Sequence, residues 1–550
     1  MEARGDMEMT GGEALARQLV REGVDQLFGV PGVQLDHAVD GLAKVADRLA
    51  FRNTRHEQAA SYMADGYART TGDIGVCMVV PGPGMLNAMA GLSTAYACSS
   101  PVLCVAGQIP STAIGRGLGV LHEVEGQSAT LATVTKWSGA AHSAAEVPAL
   151  VREAFRQLRT GRPRPVGIEL PPDVLEARGD VTLLDPGDDA APAVPDPGLL
   201  RRAAELLRGA ERPVLYAGGG VLAGAAWVEL RQLAEILQAP VVMSEHGRGA
   251  LSDRHPLALT SLGGREVLPD ADVVLAVGTR FLTGIGKPVT TGGRVVLLNA
   301  DAADLGDPRT PEVAVHGDAR LGLAGLRDLL DGHTAPPAHW DLGAVRELCA
   351  KQIAEIEPQA SYVRALRAAI PDDGILVSEL TQVGYLSQLA YPVYEPRTYL
   401  TPGYQGTLGY GFATALGAKA AHPDRAVVSI NGDGGFGWNL QELSTARKFG
   451  IGLVGVVFDD GAFGNVRRTQ KTRFEGRVNG TDLCNPDFVK LAEAFGVRGV
   501  RAEGPDALAG AIRDGVTANE PVLIHTPVGE MPSAWHLIHD FLAKPRGGAA

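Results

Sequence analysis

Short apolar runs alternate with amphipathic segments along nearly the whole chain. The runs lie at 76–80, 102–106, 213–217, 273–277, 295–298, 374–378, 427–430 and 453–458. Ser378 and Ser429 apart, each is apolar rather than alternating, as a strand covered on both faces tends to be. Ahead of them, Thr10 and Glu13 have the spacing of a capping box before an apolar-periodic helix over 14–21, and a further helical segment is expected near 440–449. Strands that alternate with helices build parallel sheets. Two stretches break the pattern, 176–198, rich in Asp, Pro and Ala, and 331–342, and both read as linkers. They divide the chain into about 1–175, 195–330 and 345–530. The expected fold is therefore three doubly wound α/β domains with mostly parallel sheets. Such sheets take ligands at the carboxyl ends of their strands, so the loops after the runs are where a site is expected.

Composition adds one anomaly. Gly (70) and Pro (35) make up about a fifth of the 550 residues, against an average near 12%. The surplus is glycine and has no collagen-like period, so it points to loops rather than to a fibre or a disordered tract. Fifty Lys+Arg against 63 Asp+Glu give a net charge of −13, and no long basic stretch suggests a nucleic-acid face. No apolar run approaches the ~18 residues of a membrane span, and residues 1–10 lack an apolar signal core. Cys77, Cys98, Cys104, Cys349 and Cys484 are scattered, without CxxC or CxxH spacing. That argues against a disulfide framework or structural zinc and suits a cytoplasmic protein.

After the run 427–430 comes Gly432-Asp433-Gly434-Gly435-Phe436-Gly437. It satisfies G-x-G-x-x-G and follows a strand, so a dinucleotide-binding loop is the natural first reading. Electrostatics argues otherwise. Such a loop brings bare N–H groups to a pyrophosphate, whereas Asp433 sets a carboxylate against it, and the two anions repel by several kcal/mol unless a cation bridges them. Asp460 lies 27 positions on, at the end of the next strand. Two carboxylates with diphosphate oxygens form the all-oxygen donor set that Mg²⁺ prefers.

These residues, with Asp459-Asp460-Gly461-Ala462-Phe463-Gly464 after them, resemble the thiamine diphosphate (ThDP) motif. The resemblance covers essentially the whole chain, in the order pyrimidine-binding, central and diphosphate-binding domain. It implies that the Asp433 and Asp460 side chains and the Ala462 carbonyl ligate Mg²⁺. Gly432, Gly434 and Gly435 then approach the diphosphate. The family's usual pair is Asn-Asn or Asn-Asp, where this chain has Asp459-Asp460. ThDP chemistry also demands a carboxylic acid near the aminopyrimidine ring. Arg55-His56-Glu57-Gln58-Ala59-Ala60 is similar to the family's catalytic-glutamate segment, which makes Glu57 that acid. By itself, a Glu at a helix start is usually a favourable charge on the helix dipole.

Other segments follow by resemblance. In Gly403-Tyr404-Gln405-Gly406-Thr407-Leu408-Gly409, Gly406 and Leu408 lie under the bent cofactor, with Leu408 between its rings. Thr381 and Gln382 help hold the diphosphate, Pro81 and Asn87 lie on the pyrimidine side, and Gln108 is a substrate-side amide. His122 stands where acetolactate synthases have Gln, and could shuttle a proton; a lone His is as readily structural. Thr469 stands where they have Trp. The basic run Arg467, Arg468, Lys471, Arg473 reads first as a solvated helix face and second as a surface that steers anions. Gly278, Arg280 and Phe281 match an FAD-contacting segment, but Leu282-Thr283-Gly284-Ile285 replaces its acidic-Arg portion, which leaves FAD binding doubtful. The overall pattern is closest to the acetolactate synthase-like group, so the expected reaction is decarboxylation of a 2-oxo acid with carboligation. Three alternatives stay open. One is a lyase of the benzaldehyde lyase or 2-hydroxyacyl-CoA lyase type, or a sulfoacetaldehyde acetyltransferase. Another is a catalytically silent ThDP-binding regulatory subunit. The third is a NAD-dependent oxidoreductase. The family's sites form between subunits, which implies a homodimer or homotetramer, with no nucleic acid or membrane partner.

Overall fold

The computed structural model describes residues 7–187, 191–283, 286–335 and 339–538. The capping box forms as expected: Glu13 N–H donates to Thr10 Oγ1 (3.1 Å) and Thr10 N–H to the Glu13 carboxylate (3.0 Å), opening the helix Gly11–Arg21. The chain opens with β1 (Met7–Thr10). A six-stranded parallel sheet then contains β2 (Gln26–Gly29), β3 (Ala50–Asn53), β4 (Gly75–Val79), β5 (Val102–Gly107), β6 (Trp137–Ala140) and β7 (Val166–Leu170), in the order β3-β2-β4-β5-β7-β6. Next, β8 (Arg178–Val181) returns to pair antiparallel with β1. Part of the stretch read as linker is thus a strand. With Gly179 and Val181 set against Met9 and Met7, it closes the edge of the first domain.

The second parallel sheet holds β9 (Pro213–Ala217), β10 (Val241–Met243), β11 (Ala258–Thr260), β12 (Val273–Val277), β13 (Arg294–Asn299) and β14 (Val313–His316), ordered β11-β10-β9-β12-β13-β14. The third holds β15 (Ile375–Ser378), β16 (Tyr399–Leu400), β17 (Val427–Gly432), β18 (Val454–Asp459), β19 (Arg498–Arg501) and β20 (Val522–Pro527), ordered β16-β15-β17-β18-β20-β19. All three are parallel throughout, and their central strands are buried on both faces, which explains the unbroken apolar runs. The first and third sheets share one topology, and the middle one has the strand order of dinucleotide-binding folds. The order reverses in the middle of each sheet, at β2/β4, β9/β12 and β15/β17. The loops at those reversals are the places where a parallel sheet leaves a crevice.

The first and third domains share a core. The helix Glu57–Thr71 lies directly on the helix Tyr410–Ala421, with Tyr62 edge-on to Tyr410 at 5.8 Å between ring centroids. One apolar cluster runs from Phe28 and Met63 through Tyr410 and Phe412 to Phe436. Backbone meets backbone at this contact: a methyl on Gly66 would stand 2.0 Å from the Thr414 carbonyl oxygen, and one on Gly417 would stand 1.9 Å from that of Met63. Among the described residues, no helix is long and apolar enough to cross a membrane.

Gly417→Val should therefore force the two helices apart and lower stability by about 1–3 kcal/mol or more. Urea denaturation checks this, and an unchanged midpoint would mean that the helices do not pack this closely.

Candidate active site

Register brings the acidic loops together. Gly432 pairs with Phe458 at the ends of β17 and β18, so Asp433 and Asp459 leave the sheet side by side. Asp433 is buried at the start of the short helix Asp433–Phe436. Burial pushes its carboxyl up to about 6, and the charges on Asp460 and Asp459 add to this against a hydrogen bond from Asn485. Burial also pushes Asp460 up, offset in part by Arg467. Asp459 behaves differently. Burial would raise it, but hydrogen bonds from His525, Asn485 and the Gly461 N–H outweigh that and hold it below the usual range. His525 Nε2 lies 2.9 Å from Asp459 Oδ2, and Asn485 Nδ2 donates to both Asp459 Oδ1 (2.8 Å) and Asp433 Oδ2 (2.6 Å). The carboxylate at 459, unusual for the motif, is therefore absorbed by three donors.

Asp460 lies over Gly464, where a methyl would stand 2.2 Å from its Oδ2. Ala462 is buried and bridges to Asp482, and Phe463 N–H donates to the Thr481 carbonyl. A methyl on Gly434 would stand 2.6 Å from the Phe463 ring. The chain from 460 to 464 is thus folded tightly around the Asp433 turn. Among the described residues, no group of three or more His, Cys, Asp or Glu side chains could hold a metal unaided. A cation at Asp433 and Asp460 would need further oxygens from a ligand, as a Mg²⁺–diphosphate pair supplies.

Two more loops of the third sheet close on this turn. Thr381 caps the helix Gln382–Ala390 through Gly384 N–H (3.0 Å), and a methyl on Gly432 would touch the Thr381 methyl at 3.7 Å. The Gln382 side chain is engaged by Arg468 (2.8 Å). Gly406 and Gly409 take positive φ (57° and 81°), which turns the chain so that Leu408 stands out at 37% exposure. Thr94 of the first domain meets Thr407 at 3.0 Å, and Asn439 Nδ2 donates to the Gly409 carbonyl (2.6 Å).

The β2/β4 reversal carries the other half. Glu57 is the first residue of its helix, and Asn87 Nδ2 donates to its Oε2 at 3.0 Å. Pro81 and Gly82 follow β4, and a methyl on Gly84 would stand 3.4 Å from Glu57 Oε1. Gly82 N–H donates to Gln127 Oε1 (2.7 Å), and Gln127 in turn donates to Glu169 (2.7 Å). Gln108 belongs to this buried chain: its Nε2 donates to Glu169 Oε1 (3.0 Å), and its Oε1 accepts the Ile109 N–H (2.8 Å). Its amide is thus tied through Glu169 and Gln127 to the Gly82 loop. His122 sits across that loop in a left-handed conformation (φ 68°), with its Nδ1 buried and, among the described residues, unpartnered.

Sequence reasoning missed several residues that build the site. Glu442, fully buried, accepts the N–H groups of Arg55 (3.1 Å) and His56 (3.1 Å) and so anchors the start of the Glu57 helix from the third domain. Asn485, Asn439 and Gln127 likewise act across long sequence separations that no local pattern marks. Three members of the basic run find partners. Arg467 pairs with Asp482 (3.3 Å), Lys471 pairs with Glu530 (2.6 Å), and Arg468 donates to Asn465 and the Met531 carbonyl as well as to Gln382. The helix Gly464–Arg473 buries none of its residues, so it remains a surface helix whose face is paired as well as solvated.

Models of the thiamine pyrophosphate enzyme N-terminal TPP binding domain, central domain and C-terminal TPP binding domain match residues 9–133, 200–326 and 381–526. The chain belongs to the thiamine pyrophosphate enzymes. It is 33% identical to a probable acetolactate synthase large subunit of Methanococcus aeolicus, over 94% of this chain and 91% of the relative. It is 35% identical to a probable 2-ketoarginine decarboxylase of Pseudomonas aeruginosa, over 94% and 93%. It is 32% identical to the acetolactate synthase isozyme 3 large subunit of Escherichia coli, over 91% of both chains. This thiamine pyrophosphate enzyme is accordingly a decarboxylase/carboligase. In its central domain, Phe281 packs edge-on to Tyr216 (5.1 Å) and Arg280 lies over Tyr404 (4.6 Å), so both are occupied in packing. Of the segment expected to decide FAD binding, Gly284 and Ile285 lie outside the described residues.

Asn485→Leu should cost about 1–3 kcal/mol, because the buried Asp433 and the half-buried Asp459 lose their shared donor. Thermal unfolding of the enzyme with and without added Mg²⁺ checks this. The variant should gain more from the cation than the wild type does.

Proposed function

We propose that this enzyme decarboxylates a 2-oxo acid and ligates the product to a second carbonyl compound, using ThDP and Mg²⁺. One observation carries the reading: in a chain of this family, the acids Asp433 and Asp460 gather at the reversal of one sheet while Glu57, held by Asn87, stands at the equivalent reversal of another. In this reading Asp433, Asp460 and the Ala462 carbonyl hold the metal, and Gly432, Gly434 and Gly435 leave room for the diphosphate. Thr381 and Gln382 flank it, Gly406 and Leu408 support the bent cofactor, and Pro81 and Asn87 line its pyrimidine side. When bound, ThDP supplies a carbon nucleophile that attacks the substrate carbonyl and takes up the electrons released with carbon dioxide. Glu57 holds a proton at the aminopyrimidine ring, and Asn87 keeps that carboxyl oriented. Leu408 and the apolar loop residues exclude water around the reacting carbon.

A second reading, in which decarboxylation ends in protonation, is favoured by His122. A non-glycine residue held at positive φ with an unpartnered ring nitrogen suits a side chain positioned to move a proton. The relative named for 2-ketoarginine decarboxylation fits this outcome, and those named for acetolactate synthesis fit the first. We read the central domain as structural, since Arg280 and Phe281 are taken up in packing, so the purified enzyme should show no flavin absorbance.

The active unit in this reading is a homodimer or homotetramer in the cytoplasm. Exposed apolar side chains support this: Leu86 (45%) next to Asn87, and Trp438 (55%) and Tyr404 (53%) beside the diphosphate loops, all need covering.

With ThDP and Mg²⁺ present, a panel of 2-oxo acids that includes pyruvate should release carbon dioxide. Acetolactate from pyruvate supports carboligation, and an aldehyde alone supports protonation. Glu57→Gln should lower turnover by about 100-fold or more while still binding ThDP. Retained turnover would remove Glu57 from the mechanism.

A further inference from the structure

Glu379, the first residue after β15, has no role in the chemistry above, yet it is 2% exposed where three cofactor-facing loops meet. Its Oε1 accepts the Gly409 N–H at 2.9 Å, and the Gly411 N–H leans on the same carboxyl group. A methyl on Gly435 would stand 2.0 Å from Oε1, so the carboxyl lies directly beneath the glycine loop that Asp433 opens. Burial pushes Glu379 up to about 7. The other titratable groups that face it are Tyr62, from the Glu57 helix, and Tyr385, from the helix after Thr381, and both are neutral hydroxyls.

Among the described residues, Glu379 Oε2 has no hydrogen-bond partner, and neither has Asn431 Oδ1. The orientation of the Asn431 amide is fixed by chemistry. One of its terminal atoms lies 3.0 Å from the Val456 carbonyl, which can only accept, so that atom is the NH₂ group; it also donates to Ser429 Oγ (3.1 Å). The remaining atom is an acceptor in a fully buried site. It faces the same side of Gly411 as Glu379 does: a methyl there would stand 2.4 Å from Asn431 Oδ1 and 3.1 Å from Glu379 Oε2. Both acceptors are buried, unpartnered and on one side of Gly411, and a proton on the carboxyl would give the amide oxygen the donor it lacks.

We propose that Glu379 carries a proton, that its Oε2 donates this proton to Asn431 Oδ1, and that the neutral acid is the positioning residue fastening the Leu408 loop to the Asp433 loop. Its effect on cofactor binding rests on the reading that those loops hold ThDP; the proton itself does not. Neutrality also spares the glycine loop a negative charge directly beneath the place where it must receive a diphosphate.

Infrared difference spectroscopy of the wild type against Glu379→Gln, without cofactor and below pH 7, should show the carbonyl stretch of a protonated carboxyl. Its absence overturns the proposal. ThDP binding, followed by tryptophan fluorescence because Trp438 packs against Gly409, gives the second readout. Glu379→Gln supplies an N–H for Asn431 and an oxygen for Gly409, so it should bind ThDP within about twofold of the wild type, and Glu379→Ala should bind about tenfold or more weakly. A Gln variant as weak as the Ala variant, or an Ala variant as tight as the wild type, overturns the positioning role. If Glu379→Ala does not fold, the Gln variant and the infrared band still decide. Asp433→Ala separates the two readings: unchanged ThDP affinity there would fail the cofactor site while leaving the infrared result to stand alone.

Discussion

Everything in this enzyme hangs on one close contact, the glycine-lined crossing of the helices Glu57–Thr71 and Tyr410–Ala421. A backbone-to-backbone approach of that kind leaves no slack, because neighbouring carbonyl groups replace the side chains that would otherwise set the spacing. It joins two sheets of the same strand order into one core. Their ligand-binding ends are then related to each other through the protein rather than through a linker. The central domain keeps its own core, and the sequence around Gly218–Gly220 and Gly278 packs its crevice backbone to backbone, with Gly220 N–H donating to the Gly278 carbonyl at 2.8 Å.

Upon that frame, buried carboxyl groups serve as fasteners. Glu442 grips the backbone ahead of Glu57, Glu169 holds Gln108 and Gln127 under the Gly82 loop, and Glu379 accepts the N–H of Gly409. Each answers backbone or amide donors that a loop at a strand end leaves unpaired. The acids at 433, 459 and 460 are arranged on another principle. They are packed close with few opposite charges, and only Asp459 is fully answered, by His525, Asn485 and the Gly461 N–H. The contrast separates acids that complete the protein from acids that await a cation.

Much of this was legible in the residues. The strand runs at 213–217 and 273–277 coincide with β9 and β12, because a parallel strand covered on both faces is mostly apolar. Asp433 set among glycines stood out because its charge contradicts the loop it occupies. The reach of Asn485, 52 positions from Asp433, was not legible. Neither was the bond from Gln108 to Glu169, 61 positions away.

The sequence by itself determined the three-domain α/β architecture, the family, and the identity of the chemical groups at the strand ends. Hydrophobic periodicity and local charge conflict are properties of neighbouring residues, and they survive without coordinates. Only the tertiary structure decided which groups meet: that Asp459 is met by His525, Asn485 and the Gly461 N–H, that Gln108 shares Glu169 with Gln127, and that Glu379 and Asn431 lie on one side of Gly411. Those outcomes depend on register between strands and on contact between domains, and both are set by packing over hundreds of residues rather than by any local spacing.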